Sequence, residues 1–299
     1  MTKFTLLDGG MSRELERVGA TLRQPEWSAL ALMNEPEKVK LAHDAFIEAG
    51  SQVITVNSYA VVPFHLGDTV FAERGSELAG QAAKLARCSA DAAQNVRVAG
   101  CLPPACGSYI PDKFDPEKAQ SILSVLVAAM EEDVDFWLAE TMSSLEEARV
   151  TSDAVRASDK PLWIAFTLRD DADAVEHGLT ELRSGETVAV AASFALDAGA
   201  EAILFNCSMP EVMEKAISAV KSQLSEAGSD MQIGVYANAF VAPSTDEAAN
   251  EVISVLRDDL DPTGYTVWVD RWVAAGASLI GGCCGITSLH IKALSEHRV

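Results

Sequence analysis

Asp135-Phe136-Trp137-Leu138-Ala139-Glu140-Thr141 is an apolar run that ends on a carboxylate and a hydroxyl. Residues 145–157 read as a helix, and Pro161-Leu162-Trp163-Ile164-Ala165-Phe166-Thr167-Leu168 is a second apolar run. Strands this apolar are covered on both faces, as in a parallel sheet flanked by helices.

The same unit recurs in both directions. Towards the N-terminus, strands are predicted at 4–10, 53–59 and 96–102, with helices at 35–49 and 72–93. Gly50 stops the first of these helices, and Pro103-Pro104 stops the third strand. Asp115-Pro116 opens the next helix as cap and first residue. Towards the C-terminus, strands at 202–207, 232–238 and 278–282 alternate with helices at about 186–198, 210–226, 265–275 and 288–297. A polar, Asp-rich loop follows the fifth strand and a polar insertion follows the seventh. Eight strand–helix units without an intervening linker predict one α/β domain over residues 1–299, a single (β/α)8 TIM barrel. An open doubly wound sheet is the alternative, but no Gly-x-Gly-x-x-Gly turn follows the first strand.

Composition narrows the function classes. Hydrophobic residues are 48% of 299, enough for a large core, and the net charge is -21. Such a surface repels nucleic acid and anionic membrane, so neither is an expected partner. No uncharged apolar run reaches the roughly 20 residues that span a bilayer. Residues 1–8 lack a signal-peptide pattern. The expectation is a soluble, cytoplasmic protein, with a homo-oligomer left open. Six cysteines in that setting do not suggest a disulfide framework. Cys88, in a helical run, reads as a small buried hydrophobe. Cys101 and Cys106, beside prolines, carry no assigned role.

Active sites of such barrels lie at the C-terminal ends of the strands. There the sequence places Asp8, Asn57, Tyr59, Glu140, Cys207, Asn238, Cys283 and Cys284. Neighbouring residues on a strand face opposite ways. The pair in Gly281-Gly282-Cys283-Cys284-Gly285 can therefore share one centre only where the glycines let the backbone bend. Cys207 supplies a third sulfur from a strand two places away. Three thiolates leave a tetrahedral Zn2+ one open position, as catalysis requires. A buried vicinal pair and a redox dithiol are the other readings. The histidines offer no compelling ligand: His43 and His290 sit in helices, and His65 lies in a loop where it could line a pocket.

At these residues the chain resembles the homocysteine S-methyltransferase family. The likeness runs through Leu7-Asp8-Gly9-Gly10 with Glu14-Leu15, Trp27-Ser28-Ala29, Val56-Asn57-Ser58-Tyr59 and Glu140-Thr141-Met142. It continues in Leu182-Arg183-Ser184-Gly185, Asn206-Cys207-Ser208, Val235-Tyr236-Ala237-Asn238-Ala239 and the glycine-flanked cysteine pair. The resemblance implies Zn2+ held by Cys207, Cys283 and Cys284, with Asp8 and Glu140 on the amino group of a thiol amino acid. It implies close approach of the acceptor to Gly9-Gly10, and aromatic contacts from Trp27 and Tyr59 to an onium methyl donor. Asn57 and Asn206 join the substrate-binding set. The implied reaction is methyl transfer from a sulfonium or quaternary ammonium donor to homocysteine, giving methionine. A same-fold enzyme for selenocysteine or another thiol, and a non-catalytic zinc- or thiol-binding barrel, are the alternatives. Ser12-Arg13, Leu102-Pro103-Pro104-Ala105-Cys106-Gly107 and Asn238-Ala239-Phe240 depart from the family's usual residues, in loops that would choose the donor.

Overall fold

The computed structural model describes residues 4–240 and 256–297, so most of the polar insertion after the seventh strand lies outside the described residues. Eight strands form one parallel sheet: β1 (Thr5–Leu6), β2 (Val53–Thr55), β3 (Arg97–Leu102), β4 (Phe136–Met142), β5 (Leu162–Phe166), β6 (Ala202–Asn206), β7 (Gln232–Tyr236) and β8 (Leu279–Ile280). β1 pairs with β8, and pairing then runs in sequence order back to β2. The β1–β2 seam is stitched differently. Gln52 N–H donates to the Leu6 carbonyl at 2.7 Å, and Thr55 N–H donates to the Asp8 carboxylate at 2.6 Å. The result is a (β/α)8 TIM barrel.

The helices include α1 (Met11–Arg17), α2 (Ser28–Asn34), α3 (Pro36–Glu48), α4 (Pro63–Leu66), α5 (Asp68–Asp91) and α6 (Pro116–Met130). They continue as α7 (Leu145–Ala154), α8 (Ala172–His177), α9 (Val188–Asp197), α10 (Pro210–Ala227), α11 (Pro262–Ala275) and α12 (Ser288–His297). Four of these, α1, α2, α4 and α8, were not expected. They span only four to seven residues each, too few to show a helical period. In α8 the local chemistry decides: the Asp171 carboxylate accepts from Ala174 N–H, and left-handed Gly178 ends the turn.

Strand alternation sorts the side chains into two cores. Ala99, Phe136, Leu138, Trp163, Leu204 and Leu279 fill the barrel. Ile54, Ile164, Ile203 and Phe205 point outwards and pack in the larger core with the helices. Following the inward parity up each strand leads from Val53 to Thr55, Ala99 to Cys101, Leu138 to Glu140 and Leu204 to Asn206. The apolar plug thus gives way to a polar layer at the C-terminal end. Fully buried Glu14 on α1 ties the two chain ends together, accepting from Ser288 N–H and Oγ at 3.0 Å each. Cys88, expected to be buried, is exposed on α5. Its helix buries a neighbouring stripe containing Ala86, Ser89 and Ala90.

Candidate active site

The cysteine loop after β8 is held on three sides. Cys283 N–H donates to the Ala237 carbonyl (2.9 Å), and Ala239 N–H donates to the Cys284 carbonyl (2.9 Å). Gly282 N–H donates to the Asp8 carbonyl (3.0 Å). The hydroxyl of buried Tyr265 donates to the Gly281 carbonyl at 2.8 Å. A Cβ on Gly10 would stand 2.4 Å from the Cys283 carbonyl oxygen, and one on Gly9 would stand 2.5 Å from that of Ile286. The structure therefore gives Gly9-Gly10 a reason distinct from acceptor approach: the first strand end lies directly against the cysteine loop.

Cys207 reaches the same place by breaking alternation. Its parity is that of Ile203 and Phe205, which face outwards. A left-handed backbone, φ 47°, turns it back towards the barrel axis. The ligand atoms of Cys207, Cys283 and Cys284 lie within 4.8 Å of one another. The sulfurs of Cys207 and Cys283 are in direct contact, with Cα atoms 5.6 Å apart. The other four cysteines, Cys88, Cys101, Cys106 and Cys284, are free, so this contact is local to the site and part of no disulfide framework. Cys284 is a free thiol with its sulfur 3.9 Å from that of Cys283. Tetrahedral thiolates about 2.3 Å from zinc stand about 3.8 Å apart. The Cys283–Cys284 separation matches that spacing, and with Cys207 and Cys283 as separate thiolates the same three residues would supply three ligands to one ion. Burial and the Glu140 charge push the Cys284 thiol up to about 11, so it is neutral near pH 7 without a cation beside it.

Two carboxylates face this cluster's side of the barrel. Asp8 is buried, accepts from Thr55 N–H and Oγ1 at 2.6 and 3.1 Å, and is pushed up to about 7. Burial is the main cause, opposed by the Thr55 bonds and reinforced by the charge of Glu140. Glu140 is also raised by burial, while Cys101 and Tyr236 favour its charged form. The Cys101 thiol lies 3.0 Å from Glu140 Oε2 and donates to it. Tyr236 adjoins the pair, although its buried hydroxyl meets no partner at good hydrogen-bond geometry. Among the described residues neither Asp8 nor Glu140 has a basic side chain in an ion pair. Two buried carboxylates without a basic partner, one raising the proton affinity of the other, make this end of the barrel electronegative.

The other expected binding residues divide. Asn206 is fully buried; its amide donates to Thr141 Oγ1 at 2.7 Å, and its Oδ1 has no partner among the described residues. Tyr59 is half-buried, shares a 2.6 Å hydrogen bond with Ser108, and feels the charge of Glu140. Asn57 instead donates to the Ser28 carbonyl at 3.3 Å. Trp27 is half-buried ahead of α2, with φ 48°, and packs on the larger core. Asn238 N–H donates to the Ser208 carbonyl. His65 is buried with Nδ1 2.9 Å from the Pro25 carbonyl. His43 is buried without a hydrogen-bond partner among the described residues, and burial lowers it to about 4. His290 bonds the Leu260 carbonyl. Cys106 contacts the Asp115 carbonyl, outside the sulfur cluster. Sequence reading missed Thr55, Cys101 and Tyr236 as members of the polar layer; each shares the inward parity of a recognised barrel residue.

Fold and site together define a (β/α)8-barrel enzyme with a cysteine triad and a carboxylate pair at the catalytic end. Residues 5–298 match the homocysteine S-methyltransferase family, and the chain belongs to that family. It is similar to homocysteine S-methyltransferase 1 of Zea mays, at 27% identity over 97% of this chain and 93% of that protein. It is also similar to betaine–homocysteine S-methyltransferase 1 of Danio rerio, at 27% identity over 97% and 71%. The homocysteine methyltransferase MmuM from Escherichia coli superposes in its metallated form with a TM-score of 0.79, 25% identity, and coverage of 99% and 96%. Its oxidised form gives the same TM-score and identity over 98% and 96%. The chain is accordingly a methyltransferase of the homocysteine-methylating class. No described helix is long and apolar enough to cross a membrane.

Proposed function

We propose that this protein moves a methyl group from a sulfonium or quaternary ammonium donor to the thiol of homocysteine, giving methionine, with Zn2+ held by Cys207, Cys283 and Cys284. The observation that carries the reading is one end of one barrel presenting three clustered sulfurs beside two carboxylates that lack a basic partner among the described residues. These features complement the thiol and ammonium ends of a short amino acid. Bound by three thiolates, zinc would supply a positive charge that keeps the acceptor sulfur deprotonated at neutral pH.

The chain's own groups do the rest. Asp8 and Glu140 receive the acceptor ammonium, and Cys101 and Thr55 fix the direction of those carboxylates. The Oδ1 of Asn206 offers a further acceptor. Tyr59 and Trp27 present aromatic faces to the onium donor. The sulfur forms its bond to the methyl carbon as the donor's S–C or N–C bond breaks, and the donor leaves neutral. No general acid is required there, so orientation and a desolvated site are the protein's main contributions. A reducing cytoplasm would keep the three thiols available.

The test is paired: metal content of the reduced protein, and methionine formed from homocysteine with S-methylmethionine, betaine, a sulfonium propionate or S-adenosylmethionine. About one zinc per chain with turnover on one donor supports the reading and names the donor. Zinc without turnover points to another thiol acceptor or a non-catalytic barrel, and no zinc in reduced protein removes the metal from the proposal.

A further inference from the structure

Cys207 adopts a conformation that costs a non-glycine residue roughly 1–3 kcal/mol, so its surroundings must hold it there. Its own N–H makes only a long contact, 3.4 Å, to the Tyr236 carbonyl. Besides its sulfur contact with Cys283, further restraints surround the following peptides. The Cys207 carbonyl receives Thr167 Oγ1 at 3.4 Å and Arg183 Nη2 at 3.5 Å. Arg183 Nε donates to the same Thr167 hydroxyl at 3.0 Å. Arg183 Nη2 pairs with Asp170 Oδ1 at 3.0 Å, while Asp170 Oδ2 accepts from Met209 N–H at 3.1 Å. Ser208 Oγ fills the space between, bonded to Thr167 Oγ1 (3.1 Å) and Leu168 N–H (2.8 Å).

One ion pair therefore meets both sides of Ser208, by a long 3.5 Å approach to the carbonyl before it and a 3.1 Å hydrogen bond from the N–H after it. Asp170 is buried, and the Arg183 side chain is 21% exposed. The guanidinium lies over the Tyr109 ring, 4.6 Å from its centre, which limits its swing. None of these side chains belongs to the sulfur cluster. The fork of an arginine can hold Thr167, Asp170 and the Cys207 carbonyl together; a lysine point charge cannot.

We propose that Arg183, braced by Asp170, is a positioning residue that keeps Cys207 turned into the barrel so that its sulfur completes the metal triad. This rests on the metal reading above. It assigns a task to groups outside the sulfur cluster. Partners of this kind commonly change metal affinity by about 10–100-fold when removed.

The experiment uses the reduced full-length chain loaded with Co2+, whose thiolate charge-transfer absorption reports the number of bound sulfurs. Arg183→Met is compared with wild type and with Arg183→Lys. The expected result is loss of about one third of the absorption per cobalt in Arg183→Met. Metal transfer to a chelator should be at least about tenfold faster, with Arg183→Lys between the two and the metal-free melting curves alike. Wild-type absorption and chelator kinetics in Arg183→Met overturn the clamp and leave the metal site standing. A wild-type chain that takes up no cobalt overturns both. Should Arg183→Met not fold, Thr167→Val removes one hydroxyl of the clamp with little change of shape and is read in the same way.

Discussion

Asp8 accepts from both the backbone N–H and the hydroxyl of Thr55, at 2.6 and 3.1 Å. One carboxylate thus closes the seam between β1 and β2 and forms half of the proposed ammonium receptor. Both tasks suit the ionised form, which its burial opposes.

That conflict sets a pH dependence. Asp8 is pushed up to about 7 from 3.8. Below about pH 7 it becomes neutral and attracts an ammonium less, so KM for homocysteine should rise as pH falls through 7. Asp8→Asn should have a high KM with this inflection removed. An unchanged inflection in the variant would assign it to another group.

The same shift has a stability sign. The folded chain holds a proton that the unfolded chain releases between about pH 4 and 7, so this group's contribution to stability falls as pH rises through that window. Asp8→Asn keeps an acceptor for Thr55 without the buried charge. Its Tm relative to wild type should improve from pH 4 to pH 7 and level off above. Thermal melts across that range decide it; a constant difference would contradict the linkage.

Glu140→Gln removes the charge but preserves most of the shape. Loss of a charge-assisted hydrogen bond is worth about 1.5–3 kcal/mol, so kcat/KM for homocysteine should fall about 10- to 100-fold. Zinc content should remain at wild type, because Glu140 is not in the sulfur cluster. Metal loss in step with activity would give Glu140 a different role.

The contact between the Cys207 and Cys283 sulfurs predicts that oxidation links them and blocks metal uptake. The oxidised chain should show four reactive thiols when denatured, out of six cysteines. A dithiol reductant, itself becoming a disulfide, should restore six and allow one zinc per chain. Cys207→Ala should remain folded but lose zinc and turnover. Full activity in zinc-free Cys207→Ala would falsify the metal mechanism.

Gly10→Ala tests the contact between chain ends. Its Cβ would meet the Cys283 carbonyl oxygen at 2.4 Å, which neither backbone can tolerate without moving. A loss of about 1–3 kcal/mol is expected, read as a lower Tm together with weaker metal retention. Glu14→Ala provides the contrast. It unties buried Ser288 and should cost a similar amount, with metal content per folded chain unchanged.

The barrel was legible in the sequence because strand–helix punctuation is local. Apolar runs such as Ala202–Asn206 and stops such as Pro103-Pro104 need no distant partner to be recognised. The clustering of the three sulfurs was legible for a related reason: strand ends in a barrel converge wherever the intervening chain wanders, whereas Asp8 and Glu140 were paired by the family resemblance. Tertiary structure alone decided what each group touches. No spacing rule shows that Cys101 donates to Glu140, or that Gly10 abuts Cys283 across most of the chain. Nor does strand alternation reveal the turn at Cys207, because alternation sends that side chain outwards. Periodicity reports which face a residue occupies. A left-handed torsion at one position, held by Arg183, Asp170 and Thr167, depends on contacts that form only when the barrel closes.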